Sequence, residues 1–151
     1  MPLAREARVR VRYGETDQMG VVYHGSYVPY FECARTEFLR AEGITYREME
    51  ERGFFLVVTE LEIRFRASAR YDDLLTVAAR VESLGPATVR FAYEVRREPD
   101  PIVLVEGATV LACLDAERRP RRFPADVAER LRGALAEAPA VENNESSRSG
   151  R

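Results

Sequence analysis

The chain contains no lysine, one histidine, two cysteines and no apolar run long enough to cross a bilayer. Each shortage removes a class of function. With a single histidine and no clustered cysteines, a metal site would have to be carboxylate-rich, so no metal is expected. Cys33 and Cys113 stand alone, without CxxC spacing, so a reduced, cytoplasmic protein is expected, with both cysteines as small buried hydrophobes. The first residues, "MPLAREARVRVRY", are charged and carry no signal-peptide core. No GxSxG elbow occurs, and Ser26 is too close to His24 in sequence to suggest a Ser-His-Asp triad. All 23 basic residues are arginine, a bias that fits genome composition or heat adaptation alike. The net charge of −2 does not suggest a nucleic-acid scaffold, and nothing points to membrane insertion.

What the sequence does have is a regular succession of elements, on a chain long enough to bury a core as one domain. Residues 7–13 alternate apolar and charged side chains, the pattern of a strand. From residue 26 to 42, Phe31, Ala34, Phe38 and Ala41 form an apolar helical stripe, with Ser26 as N-cap and Gly43 as stop. A short helix is expected over 45–53, where Thr45 and Glu48 have capping-box spacing. Four long strand-like stretches follow, at 54–67, 74–84, 88–97 and 102–115, separated by the turn signals "RYDD", "GPA" and "EPDP". A last helix is expected over 124–138. The domain is therefore placed at 1–138, with 139–151 as a polar, disordered tail. The fold class is α+β, one buried helix against a curved antiparallel sheet, with a C-terminal helix. One helix cannot cover both faces and the edges of such a sheet, so association of copies is expected.

The lone histidine lies in "YGETDQMGVVYHGSY" (13–27), seven residues after Asp17 and just before the long helix. One reading is structural, with Asp17 capping a turn and His24 packing at the helix start. The other uses the helix terminus. Backbone N–H groups in a first turn lack intrahelical acceptors and carry the positive end of the helix dipole. They can stabilise an oxyanion, and Gly20 and Gly25 would let backbone approach a substrate closely. A carboxylate nearby can act as nucleophile or as general base for water, which suits acyl transfer to water.

Residues 11–40, "VRYGETDQMGVVYHGSYVPYFECARTEFLR", resemble the motif of the hot-dog-fold acyl-CoA thioesterases of the 4-hydroxybenzoyl-CoA thioesterase type. The resemblance is closest to the bacterial subgroup associated with the Tol–Pal system. Tyr13, Glu15, Thr16, Asp17, Gly20, Val22, Tyr23, His24, Ser26 and Tyr27 fill that motif without a gap, as do Tyr30, Phe31, Glu32, Ala34 and Arg35. Segments 69–77 and 119–127 resemble later parts of the family. The resemblance implies a five-stranded sheet wrapped around the 26–42 helix, and a dimer with interfacial sites, often assembled into a tetramer. It implies Asp17 as the catalytic carboxylate, backbone N–H at His24 and Gly25 as oxyanion donor, and His24 as an assisting group. Ser68 stands where many relatives have proline, before a turn implied to lie near the CoA arm.

Further residues have two readings each. Glu32 is an alternative carboxylate, but its spacing from Arg35 favours an ion pair on one face of a buried helix. Arg118, Arg119, Arg121 and Arg122 can receive CoA phosphates or attract an acidic acyl-carrier protein; equally, they fit a solvated connection. Tyr23, Tyr27 and Phe31 can line an acyl pocket or pack in the core. The expected activity is hydrolysis of an acyl-CoA thioester, with CoA only as part of the substrate and no cofactor. A non-catalytic acyl- or CoA-binding module and a hydratase on the same fold are the rivals.

Overall fold

A computed structural model of the chain describes residues 4–136. Strand β1 (Ala4–Arg10) leads through a loop to helix α1 (Tyr27–Ala41) and short helix α2 (Tyr46–Glu51). Strands β2 (Phe54–Phe65), β3 (Leu74–Leu84), β4 (Thr88–Arg97) and β5 (Val103–Asp115) follow, and then helix α3 (Ala125–Ala136). The five strands form one antiparallel sheet in the order β1-β3-β4-β5-β2. Helix α1 lies against β1 and β3. This is the expected α+β arrangement of one long helix on a curved sheet.

Aromatic packing fixes the helix on the sheet. Phe31 stacks on Tyr93 with ring centroids 4.5 Å apart, and Phe38 meets Phe91 edge-on at 5.5 Å. Such pairs add about 0.5–1.5 kcal/mol each beyond the area they bury. Gly107 of β5 makes the approach possible, because a Cβ there would lie 2.4 Å from the Phe31 ring. At the far end of the sheet, Met49, Phe54, Val127 and Leu131 are buried where α2, β2 and α3 converge.

The elements depart from the sequence reading at definable points. β1 ends at Arg10 rather than 13, because its partner β3 begins at Leu74, opposite Arg10. Ser26 is not a side-chain cap: its backbone is already helical (φ −68°, ψ −18°), and its hydroxyl donates to the Glu15 carbonyl. Thr45 does cap α2, accepting from the Glu48 N–H at 3.2 Å. Ala41 is exposed, and the buried side of the helix ends at Phe38 and Leu39. Cys113 is buried but Cys33 is exposed, since it sits on the solvent side of α1. Residues 137 and 138 of the expected last helix, and the 139–151 tail, lie outside the described residues.

β2 is an edge strand with an unusual pattern of exposure. Its pairing with β5 shifts register between Val58 and Glu60, leaving Thr59 as the extra residue of a bulge. The bulge switches which parity faces the helix. Before it, Phe54, Leu56 and Val58 lie opposite Asp115, Cys113 and Leu111; after it, Leu61, Ile63 and Phe65 lie opposite Thr109, Gly107 and Val105. One apolar stripe therefore runs the whole inner face, although Val58, Leu61 and Phe65 are exposed.

Candidate active site

The loop between β1 and α1 is a closed unit built on backbone bonds. Thr16 and Val22 form an isolated antiparallel bridge, and the Asp17 N–H donates to the Val21 carbonyl at 2.9 Å. Gly20, at φ +77°, turns the chain so that its N–H reaches the Asp17 carbonyl at 3.0 Å. Asp17 Oδ1 accepts from the Met19 N–H at 2.9 Å, which is an Asx turn. The structural role considered for Asp17 is thus real, but it uses one oxygen. Oδ2 has no hydrogen bond among the described residues. The loop is tied to the sheet by the Val22 N–H, which donates to the Ala69 carbonyl at 2.8 Å. That contact sets the 68–73 turn beside it.

The helix start is held by Glu15. Its carbonyl accepts from the Tyr23 N–H (2.9 Å) and the Ser26 hydroxyl (3.0 Å). Its Oε1 accepts from the Arg12 N–H (2.8 Å) and the Tyr30 hydroxyl (3.0 Å). Burial, and then the bond to Glu15, push the Tyr30 phenol far above its ordinary range, so it remains a donor. The motif lists Glu15 and Tyr30, but nothing in their spacing shows that they meet. Between these anchors, His24–Ser26 forms a 3₁₀ turn that runs into α1. Neither the His24 nor the Gly25 N–H has an acceptor among the described residues. Two free amides at a helix start are what an oxyanion needs.

The His24 ring is exposed and lies 4.2 Å, centroid to centroid, from the Tyr23 ring. It makes no hydrogen bond to Asp17. The Tyr23 ring also covers Gly25, where a Cβ would meet it at 2.8 Å. The three aromatics considered for a pocket have different fates. Tyr23 is exposed beside His24; Tyr27 is buried against Phe65 at 5.7 Å; Phe31 is in the core on Tyr93.

The expected Glu32–Arg35 ion pair does not form, and Glu32 is exposed rather than enclosed. Arg35 points inward instead. Its Nε donates to the Tyr46 hydroxyl at 2.8 Å and its Nη1 to the Tyr93 hydroxyl at 3.2 Å. Two longer-range contacts, to α2 and β4, outcompete the neighbour one turn away.

Arg118, Arg119, Arg121 and Arg122 form a turn after β5. Asp115 Oδ1 accepts from the Glu117 and Arg119 N–H groups, Arg118 takes φ +63°, and the Arg121 guanidinium lies 5.4 Å from the Phe54 ring centroid. Phe54 pairs with Asp115, whereas Phe65, beside α1, pairs with Val105. The turn is therefore about 33 Å along β5 from the Asp17 loop. One protomer does not bring the two together. Among the described residues no three His, Cys, Asp or Glu side chains are grouped as metal ligands.

Residues 11–131 match the family model described as the thioesterase-like superfamily. The acyl-CoA thioesterase YbgC of Haemophilus influenzae is 38% identical over 121 residues, covering 79% of this chain and 88% of that protein. The chloroplastic acyl-acyl carrier protein thioesterase ATL3 of Arabidopsis thaliana is 30% identical over 136 residues, 90% of this chain and 72% of that one. The crystal structure of a hypothetical protein from Thermus thermophilus superposes with a TM-score of 0.80 at 41% identity, covering 84% of this chain and 96% of that one. With four-fifths of its length matched by the family model and a hot-dog sheet to match, the chain belongs to the thioesterase-like superfamily.

Proposed function

We propose that this protein is an acyl-CoA thioesterase, an enzyme that hydrolyses the thioester to a free acid and CoA with no cofactor of its own. The observation that carries the reading is the pair of free N–H groups at His24 and Gly25, in the same locked loop as a carboxylate with one oxygen unused. The thioester oxygen sits against those amides, which stabilise the charge that develops as the carbonyl carbon becomes tetrahedral. Asp17 then takes a proton from the attacking water, and the thiolate of CoA leaves and is protonated. In the alternative route Asp17 itself attacks, the C–S bond breaks and the thiolate of CoA leaves, and water hydrolyses the resulting anhydride. His24, exposed beside the amides, orients the water or the leaving thiol.

The reading includes a dimer. β2 offers an unpaired edge and an exposed apolar inner face. Antiparallel pairing of β2 with its copy about a twofold axis would set Phe54 of one protomer opposite Phe65 of the other. The partner's arginine turn, which lies over Phe54, would then reach this protomer's Asp17 loop. In this arrangement Arg118, Arg119, Arg121 and Arg122 serve the phosphates of a CoA bound at the neighbouring site. The acyl group runs from Tyr23 and Tyr27 along the inner face of β2, and further pairing of dimers gives a tetramer. The finer placement, as a cytoplasmic member of the Tol–Pal-associated subgroup of the 4-hydroxybenzoyl-CoA type, rests on the density of the 11–40 motif.

A carrier-protein thioester is the second substrate form, favoured by the carrier-protein thioesterase among the relatives and by the same basic turn, which would meet an acidic carrier. A thiol-release assay over acyl-CoAs from acetyl to palmitoyl, with a benzoyl thioester and an acyl-carrier-protein substrate beside them, tests the proposal. Release of CoA is the expected result. No release from any of these substrates would leave a binding module.

A further inference from the structure

Arg35 carries a charge that the fold does not neutralise. It is 7% exposed, and its partners are two tyrosine hydroxyls. No acidic side chain among the described residues forms an ion pair with it. The Tyr93 hydroxyl is in turn 2.6 Å from Thr109 Oγ1, so the network ends on a neutral group. A buried guanidinium without a counter-charge is costly unless an anion completes it. Nη2 makes no hydrogen bond to a described residue. Among the described residues every side-chain nitrogen or oxygen sealed from solvent has a partner, so Nη2 is open.

The place it opens to follows from the register. Tyr27 meets Phe65, Phe31 stands on Gly107 opposite Ile63, and Arg35 reaches, through Tyr93, Thr109 opposite Leu61. Positions 27, 31 and 35 of α1 thus descend beside 65, 63 and 61 of β2, one helical turn for every two strand residues. The side of α1 that carries Val28, Glu32 and Arg35 therefore borders the uncovered apolar stripe. Glu32 is exposed and does not reach the guanidinium.

We propose that Arg35 selects acyl groups that end in a carboxylate. This rests on the reading that the acyl group runs along the β2 stripe from the amides at the start of α1. From Gly25 to Arg35 the helix advances about 15 Å, and with a hydrogen bond of about 3 Å at each end this leaves about 9 Å, which suits a dicarboxylic acyl chain of about eight carbons. Such a chain places methylenes against Leu61, Ile63 and Phe65 and its terminal carboxylate on Nη2. A plain fatty acyl group of the same length leaves the guanidinium without an anion.

The test compares octanedioyl-CoA with octanoyl-CoA. The wild-type protein should favour octanedioyl-CoA in kcat/KM by at least about tenfold, the effect of one charge-assisted contact. Arg35→Met should abolish or invert that ratio, and Arg35→Lys should keep part of it. A purely structural arginine would lower both substrates alike and leave the ratio unmoved. Free octanedioate should raise the Tm of the wild-type protein more than octanoate does, a readout that needs neither turnover nor a variant. Equal kcat/KM values in the wild type, a preference that survives in Arg35→Met, or equal Tm shifts would each overturn the proposal. If no thioester is hydrolysed, the thioesterase reading fails, and the Tm comparison still decides whether Arg35 holds a carboxylate.

Discussion

The two ends of the sheet are finished differently. At the α3 end, Asp115 Oδ1 accepts two backbone N–H groups, Arg52 grips Asp126 through two bonds of 2.9 and 2.8 Å, and Arg52 and Arg121 both lie over the Phe54 ring. At the Asp17 end, two amides lack acceptors among the described residues, and Tyr13 and Tyr71 meet edge-on while 78% and 57% exposed. Both rings keep apolar area in water. One end closes the core. The other is left open to solvent, and that is where the proposed chemistry falls.

The sharpest way to break this contrast is to remove the charge at the open end. Asp17→Asn retains the oxygen that accepts from Met19, so the loop should keep its shape and Tm should hardly move. We expect kcat to fall at least about 10²-fold, the range for losing positioned base catalysis. Near-normal turnover by a folded variant would move attention to Glu32. Next comes the edge. Leu61→Arg places a charge on the inner stripe of β2, which lines the acyl path as well as the interface, and should give a monomer by light scattering. A dimer that persists with full activity would mean that the copies meet elsewhere.

A smaller effect tests whether the closed end of one protomer serves the open end of another. Replacing Arg121 and Arg122 with alanine should raise KM for acyl-CoA about tenfold, as for losing a charged phosphate contact, with little change in kcat. The increase should shrink for a substrate cut back to the pantetheine arm. Equal increases for both would remove the nucleotide from that turn. The smallest effect belongs to the Arg52–Asp126 pair. Arg52 holds the Asp126 carboxyl below its ordinary range, first through their hydrogen bonds. A depressed carboxylate contributes stability above its unfolded pKa of about 3.9, and that contribution is lost as pH falls through the folded value. Arg52→Ala should therefore lower Tm slightly at pH 7, less at acid pH, and leave turnover unchanged. A loss of activity in Arg52→Ala would show that the two ends are not separable.

Local patterns carried much of this into the sequence. Strands 74–84 and 88–97 were readable to their end residues, because alternation and turn residues are local signals. So was the Thr45 cap. The position of the free amides could be foreseen from the helix start, but the pairing of Glu15 with Tyr30 could not, since it depends on how a loop folds back over a helix. The partners of Arg35 are hidden for the same reason. A residue three positions away is always a candidate partner in sequence, whereas Tyr46 and Tyr93 become candidates only once α2 and β4 are in place. The parity change in "FFLVVTELEIRF" is visible at Thr59, but only β5 says which face it serves. Nothing local distinguished Cys33 from a core position, and the helix turned it outward.

That extra residue in β2 also constrains how the chain can change. If the bulge were ironed flat and Thr59 took a place in the ladder, Glu60, Glu62 and Arg64 would rotate onto the helix side while Leu61, Ile63 and Phe65 went to the other, whereas deleting Thr59 would leave every face where it is. One residue drawn into the ladder would exchange an apolar face for a row of ions. Lineages that keep the activity can therefore lengthen or shorten this strand at its ends, but through its middle the reading frame of faces must be conserved as strictly as the genetic one.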